Sequence, residues 1–344
     1  MVISQDRAYS LKEAADLLGI SYNYLVNKVT KSKELKTVNI GTEEKPIFRV
    51  TQQSIDEYRS KHSTGEQNTI RNAIAELQNI RKSVIISYLT STSNLIEPID
   101  ALFFSDVIED IKTRKSISGK IPVLDIFINS YGGSLDAAYK IARILWQYAN
   151  KVNAIVPINA KSAATAICIG TREITMTPVS ELGPVDPIIE DPISKNKIPA
   201  RSIKIFLSYQ SDQLRLQADK IDPQIIGKLG DKLDPLLAGA YFNAINTSKE
   251  YLRILLNNYM FSRTKTEEEI EKIVENLTET HYSHAFVIDN QESQKIGLNT
   301  RIATKEEDKA IKKLMTFYSQ FMNAQGLTKL VGNEFWQIQQ GKRG

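Results

Sequence analysis

The sequence predicts an α/β protein built around a mostly parallel, covered β-sheet, with a small separate unit at its N-terminus. Two observations lead to this prediction. Apolar strands alternate with helices between residues 83 and 187, and residues 8–62 carry a helix-and-hairpin pattern of their own. At 344 residues the chain is long enough for more than one domain.

The composition is that of an ordinary globular protein, with 42% hydrophobic and 24% charged residues. A net charge of +4 is too small to indicate nucleic acid or an anionic membrane as a partner. The single cysteine, Cys168, excludes an intrachain disulfide and lies in an apolar run, where we expect a buried, inert thiol. With one cysteine and three histidines, the chain lacks the usual spacing of zinc ligands, so we expect no metal or other cofactor.

The chain shows no sign of export or of membrane insertion. The first ten residues lack the apolar core of a secretory signal. No apolar stretch approaches the roughly 20 residues that a membrane-spanning helix needs. We therefore expect a cytoplasmic protein without a membrane segment.

The N-terminal residues 1–62 have the outline of a winged helix-turn-helix domain. Ser10 caps a helix that Gly19 ends, Ser21 caps a second helix, and strands around 37–40 and 46–50 form a hairpin. The polar residues 63–68 then form a linker. This order of elements favours a DNA-binding unit.

Residues 9–21 resemble the excisionase and MerR-like helix-turn-helix family. The resemblance implies that the helix over residues 21–30 enters the major groove and that the hairpin forms the wing. The residues expected to contact DNA are Ser21, Tyr22, Asn23, Lys28 and Arg49. The alternative is a small adaptor that contacts protein, because the charges of residues 1–66 nearly cancel.

The remaining chain divides into an α/β domain at 69–305 and a C-terminal helical extension at 306–344. From residue 198 onward the pattern is largely helical, and an amphipathic helix is expected over 308–324 before a peripheral tail. The expected helices of the α/β domain cover 70–80, 100–111 and 135–148, and its expected strands cover 83–89, 122–128 and 153–158.

A glycine turn follows the strand that ends at residue 128. Gly132 and Gly133 lie just before the helix that begins at Leu135, and their N–H groups are sterically open. Such a turn can bind the oxygen of a substrate. A plain strand-to-helix turn and a phosphate loop are the alternatives.

Ser162 stands among small residues at 160–165, after a strand and before a buried helix. A serine in this position commonly serves only as a helix cap. Together with the glycine turn, however, it provides the two components of acyl transfer by a serine enzyme, a nucleophile and an oxyanion site.

The blocks at 160–165, 173–176 and 182–187 resemble the serine dehydrogenase proteinase (SDH) family, and scattered similarity extends over roughly residues 80–303. This family has the Clp-protease and crotonase-like fold and is related to signal peptide peptidase A. The resemblance implies a serine endopeptidase that acts on polypeptides and assembles into homo-oligomers. It implies Ser162 as nucleophile, and Gly132, Gly133 and the N–H of Ala163 as the oxyanion hole.

The resemblance leaves several candidates for the general base. Lys249 comes first, because peptidase relatives carry a lysine there, and it would form a Ser-Lys dyad; its alternative is a solvated lysine in a first helical turn. His281 comes second, His284 could replace it, and Lys204 is weaker. No histidine follows Met176 where a Clp protease has one, which argues against a Clp-type triad.

Two other classes of function compete with the peptidase. One is a catalytically inactive core that serves as the oligomerisation platform of a DNA-binding regulator. The other is a crotonase-type acyl-CoA enzyme, which would rely on a carboxylate near the thioester. No such carboxylate stands out in the sequence.

Overall fold

The structure is a computed structural model that describes residues 8–18, 25–26, 29–30, 33, 35–42, 47–55, 57, 65–190, 197–199, 235–280, 283–335 and 337–341. Met1–Thr69 and Ile70–Gly344 form two compact units.

The first unit contains a helix and a three-stranded antiparallel sheet of order β1-β3-β2. Its elements are β1 (Ala8–Tyr9), α1 (Leu11–Leu18), β2 (Thr37–Asn39) and β3 (Phe48–Thr51). The N–H of Ser10 donates to the Glu13 carboxylate at 2.8 Å and the N–H of Glu13 donates to the Ser10 hydroxyl at 3.2 Å, so the expected capping box starts α1. Ser21, Tyr22, Asn23 and Lys28 lie outside the described residues.

The second unit is an α/β fold around a seven-stranded mixed sheet of order β12-β8-β6-β5-β4-β13-β14. The first five strands in this order pair in parallel, as the alternation of strands and helices predicts. The last two strands pair antiparallel. The strands are β4 (Val84–Thr90), β5 (Ile121–Asn129), β6 (Ala149–Val156), β8 (Ile174–Met176), β12 (Thr300–Ile302), β13 (Leu327–Gly332) and β14 (Gln337–Gly341).

Helices cover both faces of the sheet. Neighbouring residues of β4 therefore join different cores: Ile86 and Tyr88 pack on one face, and Ile85 and Leu89 pack on the other. The described helices are α2 (Gly65–Arg81), α3 (Asp100–Arg114), α4 (Leu135–Tyr148), α5 (Ala163–Ile169), α6 (Pro235–Leu255), α7 (Glu267–Glu275), α8 (Asn290–Ile296) and α9 (Lys305–Ala324). Single π-helical turns continue α6 over Leu256–Met260 and α7 over Asn276–Thr280.

The C-terminal region differs from the expected helical extension. α9 begins the region as predicted, but its apolar residues form part of a core, and the chain then adds β13 and β14 to the central sheet. The polar residues Thr328 and Lys329 interrupt the apolar pattern of β13 although both are buried. The sequence pattern therefore does not predict β13, although the strand is buried in the sheet.

A second, smaller ladder forms where the central strands end. β7 (Asn159–Ala160) and β9 (Glu181–Leu182) pair in parallel. Ser130 pairs with β7, and Ile288 pairs with β9 in the antiparallel direction. A separate antiparallel hairpin joins β10 (Ile188–Glu190) to β11 (Lys197–Pro199). The small ladder brings together chain segments from four distant parts of the sequence.

Candidate active site

The glycine turn links the end of β5 to α4, and Ile96 holds it from one side. Gly132 and Gly133 have φ values of 100° and 146°, which L side chains rarely adopt. The N–H of Ile96 donates to the Gly132 carbonyl at 2.8 Å, and the Ile96 carbonyl accepts from the N–H of Ser134 at 2.9 Å. Ile96 and Gly133 thus form a parallel bridge, in which the N–H of Gly133 faces away from Ile96. Within the described part of the chain the Gly133 N–H has no hydrogen-bonding partner.

The two glycines differ in what they can offer a substrate. The N–H of Gly132 donates to the buried hydroxyl of Ser130 at 3.2 Å, which leaves Gly133 as the available donor on this turn. Gly132 instead permits close approach: a Cβ there would lie 2.8 Å from the Lys161 carbonyl oxygen and 2.9 Å from Ser162 Cβ. The glycine turn and the serine turn are therefore in direct backbone contact.

Ser162 lies between β7 and α5 in a strained backbone conformation. Its φ of 52° and ψ of −121° lie outside the favoured regions for a residue with a side chain. Its hydroxyl makes no capping hydrogen bond to α5, which removes the support for the helix-cap interpretation. A serine on a strained strand-to-helix turn is also the arrangement of the nucleophile elbow in α/β-hydrolases, where the turn exposes the hydroxyl.

The N–H of Ala163, the first residue of α5, lies beside the same turn. A Cβ on Gly132 would be 3.3 Å from this nitrogen. Its hydrogen has no backbone partner among the residues the structure describes, as expected for the first turn of a helix. Each of the two turns that meet at Ser162 thus offers an N–H group, that of Gly133 or that of Ala163, and two such donors can stabilise an oxyanion.

The residues around the serine turn are fixed to β9. The Lys161 ammonium lies 2.8 Å from the Glu181 carboxylate and donates to the Leu182 carbonyl at 3.2 Å. The N–H of Gly183 donates to the Thr165 hydroxyl at 3.1 Å, which also lies 2.6 Å from the Ala160 carbonyl oxygen. Lys161 therefore adjoins Ser162 in the chain, but its ammonium is bound to residues of β9.

Lys249 lies well inside α6, in contrast to the first-turn position considered from the sequence. Its ammonium is 3.0 Å from the Glu279 carboxylate, and its side chain is 15% exposed, so it is not a solvated surface lysine. Two residues further along, the Tyr251 hydroxyl donates to Asp136 in the first turn of α4 at 2.9 Å. This hydrogen bond is the main cause of a raised pKa of Tyr251. Tyr251 therefore joins α6 to the helix after the glycine turn, whereas Lys249, two residues earlier, projects from another face of α6 toward the turn after α7.

His284 and Asp186 form a pair that the sequence analysis does not predict. The Nδ1 atom of His284 lies 2.5 Å from Asp186 Oδ1, and the carboxylate is buried. Asp186 lies four residues after Leu182, and His284 lies four residues before Ile288. Because Leu182 and Ile288 form an antiparallel bridge, these offsets bring the two side chains together. Nothing in the spacing of these residues signals the contact, because they are 98 positions apart. His281 and Lys204 lie outside the described residues.

The Glu279 turn and the Asp186 loop are joined. The N–H of Val185 donates to the carbonyl of Leu277 at 2.8 Å, and Leu277 and Glu279 share the π-helical turn after α7. Both candidate bases are therefore connected to the loop after β9. Lys249 is connected through Glu279, and His284 through Asp186, which lies in that loop. In the described ranges the Ser162 hydroxyl has no hydrogen-bonding partner.

The described side chains offer no metal site. Among them, no three histidine, cysteine, aspartate or glutamate residues group closely enough to hold an ion. Cys168 is fully buried in α5, and burial raises the pKa of its thiol, which disfavours the reactive thiolate. Of the helices in the described part of the chain, none has the length and apolar character to cross a membrane.

Comparison with solved structures gives remote matches to a membrane-bound stomatin-specific protease, 1510-N. Its serine-to-alanine mutant aligns with a TM-score of 0.39 and 16% identity, over 64% of this chain and 80% of that one. Its lysine-to-alanine mutant in complex with a substrate peptide aligns with a TM-score of 0.37 and 16% identity, over 64% of this chain and 75% of that one.

Sequence comparison gives a firmer result. The uncharacterized protein MJ0137 of Methanocaldococcus jannaschii is 26% identical over 261 residues, which are 75% of this chain and 81% of that protein. Residues 60–343, most of the chain, match the family described as ClpP-like SDH-type serine proteinase. The chain belongs to the ClpP-like SDH-type serine proteinase family.

Proposed function

We propose that the protein is a serine endopeptidase in which Ser162 attacks the peptide carbonyl. The observation that carries the proposal is the contact between the strained Ser162 turn and the glycine turn. In the proposed reaction a base takes the hydroxyl proton, and Oγ adds to the carbonyl carbon. The N–H groups of Gly133 and Ala163 stabilise the oxyanion, and Gly132 provides the close approach. The amine leaves with the proton, and water then hydrolyses the acyl-enzyme ester.

For the base we retain Lys249, which would form a Ser-Lys dyad. Its support is the lysine that peptidase relatives carry at this place, and its low exposure. The Lys249 ammonium must leave Glu279 and lose a proton before its nitrogen can accept the proton of Ser162. The competing base is His284, because Asp186 orients it as a carboxylate orients the histidine of other serine enzymes. His281 remains a candidate on the sequence alone.

The test of the nucleophile is covalent labelling with a fluorophosphonate probe, read by intact mass. We expect one adduct on the wild-type protein and none on Ser162→Ala. Ser116→Ala is the matched control, since Ser116 is an exposed serine that also has positive φ, and this variant should label as the wild type does. An adduct that persists on Ser162→Ala would contradict the assignment.

The base is tested by the labelling rates of Lys249→Ala and His284→Ala. Removing a general base lowers such rates by about 10²- to 10⁴-fold. Lys265→Ala is the control lysine, because Lys265 likewise pairs with a glutamate but lies on the surface loop before α7. A rate that falls only in His284→Ala would replace the Ser-Lys dyad by a histidine-dependent mechanism.

A catalytically inactive platform is the second candidate function. The observation that favours it is that the Lys249 ammonium is paired with Glu279, while the Ser162 hydroxyl has no hydrogen-bonding partner among the described residues. The absence of an adduct on the folded wild-type protein would support this function. Homo-oligomerisation is part of both proposals and is measured by analytical ultracentrifugation. The cytoplasmic location stays a prediction.

For residues 8–62 we retain the proposal of a DNA-binding or adaptor module. Helix α1 and the sheet that contains the β2–β3 hairpin support it. Arg49 has a structural role as well, because it is half-buried on β3 and donates to the Ala8 carbonyl at 3.3 Å. Fluorescence anisotropy of labelled duplex DNA with the full chain tests the proposal. Binding that Lys28→Ala does not weaken would indicate that the helix over 21–30 is not the reading helix.

A further inference from the structure

A buried lysine on the C-terminal strand β13 makes a charge cluster that the proposed reaction does not use. Lys329 is 1% exposed, and its ammonium lies 3.0 Å from both carboxylate oxygens of Asp100 and 3.2 Å from the Glu97 carboxylate. The Tyr88 hydroxyl donates to Asp100 at 2.6 Å. We refer to Lys329, Asp100, Glu97 and Tyr88 as the Lys329 cluster. Burying such charges costs several kcal/mol per ion, so the cluster is poorly explained by stability alone.

The Lys329 cluster closes a tight turn before α3. The N–H of Glu97 donates to the Asp100 carboxylate at 2.8 Å, and the N–H of Asp100 donates to the Glu97 carbonyl at 3.0 Å. Lys329 contacts both carboxylates of this turn, which attaches the turn to β13. Ile96, the residue just before the turn, is therefore held from its C-terminal side.

Ile96 in turn sets the direction of a peptide unit in the glycine turn. Its N–H donates to the Gly132 carbonyl at 2.8 Å. The carbonyl of Gly132 and the N–H of Gly133 belong to one planar trans peptide and point in opposite directions. The bond from Ile96 therefore turns the N–H of Gly133 away from Ile96. The backbones are so close that a Cβ on Gly133 would lie 2.4 Å from the Ile96 nitrogen.

We propose that Lys329 is a positioning residue for the oxyanion donor, acting through Asp100 and Ile96 on the peptide between Gly132 and Gly133. The inference rests on the proposed function, in which the N–H of Gly133 contacts the oxyanion. Without the Lys329 ammonium, the turn at residues 97–100 loses its ionic contact with β13, and the glycine peptide gains freedom to rotate. Ser91 and Asn94 still bind Thr328 of β13, so the expected change is local to Ile96 and the glycine turn. The C-terminal hairpin thereby takes part in the active site as well as in the sheet.

The variant Lys329→Met tests the proposal, with Arg81→Met as the matched control. Arg81 is also a buried cation with two carboxylate partners, Asp125 and Glu307, and it has no described contact with Ile96. We measure hydrogen exchange on peptides that contain the amides of Ile96 and Ser134, relative to peptides from β5. We also measure the rate of fluorophosphonate labelling, at a temperature where near-ultraviolet circular dichroism shows both variants folded.

We expect Lys329→Met alone to accelerate exchange at Ile96 and Ser134 relative to β5. The labelling rate of Ser162 should fall by about tenfold to hundredfold, somewhat less than the loss of a whole oxyanion donor. Equal local exchange in the Lys329→Met and Arg81→Met variants would overturn the proposal. So would an unchanged labelling rate in Lys329→Met.

A double variant, Lys329→Met with Asp100→Asn, keeps the test decisive where the single variant does not fold. The double variant removes the buried charges of Lys329 and Asp100. The amide oxygen that replaces the Asp100 carboxylate can still accept a hydrogen bond from the N–H of Glu97, but the ion pair that joins the turn to β13 is lost. Labelling at the wild-type rate by this variant would overturn the positioning role. If the wild-type protein itself takes no adduct, the proposed function fails, and the exchange measurement still decides whether Lys329 holds the glycine turn.

Discussion

Replacing Ser162 by glycine should stabilise the protein relative to replacing it by alanine. Both substitutions remove the hydroxyl, so they differ only in the backbone and in one methyl group. With φ of 52° and ψ of −121°, residue 162 occupies a region that is unfavourable for alanine and accessible to glycine. The comparison therefore measures the backbone strain at the proposed nucleophile.

The size of the effect follows from two opposing contributions. A residue with a side chain in such a region costs of the order of 1–3 kcal/mol. Glycine loses more conformational freedom on folding, which offsets roughly 0.5–1 kcal/mol of the gain. We therefore expect Ser162→Gly to be more stable than Ser162→Ala by about 1.3 kcal/mol, the middle of a range of about 0–2.5 kcal/mol.

Urea denaturation measures the difference in the free energy of unfolding, provided that the two variants have equal m-values. The glycine variant should also melt at a higher temperature, by roughly 2–4 °C per kcal/mol for a domain of this size. Ser134 is the matched control, because it also precedes a helix but has an ordinary φ of −66°. At residue 134 the glycine variant should be more stable than the alanine variant by only about 0.5–1 kcal/mol, the usual preference at a helix cap. A gain at residue 162 no larger than at residue 134 would refute the strain argument.

Two further predictions concern the glycine turn and the buried charges on the other face of the sheet. Gly132→Ala should cost about 2–4 kcal/mol and abolish labelling, because its Cβ would lie 2.9 Å from Ser162 Cβ at a φ of 100°; urea denaturation and intact mass measure both. The Arg301 guanidinium, 2.7 Å from Glu307, lowers the pKa of the Glu307 carboxyl. A carboxyl whose pKa is lower in the folded state than in the unfolded state stabilises the fold. The stabilisation from Glu307 is complete above its unfolded pKa near 4.5 and is lost as the pH falls below that value. Glu307→Gln should therefore cost about 3 kcal/mol at pH 7 and flatten the loss of stability on acidification; an unchanged acid limb in urea titrations at several pH values would contradict this.

Local patterns in the sequence were sufficient to predict much of the fold and the turn that carries the proposed nucleophile. The strand, glycine turn and helix around Gly133, and the strand, serine and helix around Ser162, each lie within a short stretch of chain. Alternating strands and helices predicted the parallel part of the sheet. These features depend on backbone preferences and apolar periodicity over a few residues, which the sequence displays directly.

Tertiary structure decided which distant groups meet these elements. Lys329 and Asp100 are 229 positions apart, and Asp186 and His284 are 98 apart. Their contacts depend on the register of β13 against β4 and of Ile288 against β9. Likewise, the difference between Gly132 and Gly133 as donors arises from Ser130 and Ile96. The sequence by itself determined the strand-to-helix turns that carry the proposed nucleophile and oxyanion donors, because those depend on neighbouring residues. Only the folded sheet decided what surrounds and orients them, because pairing between remote strands leaves no local signal.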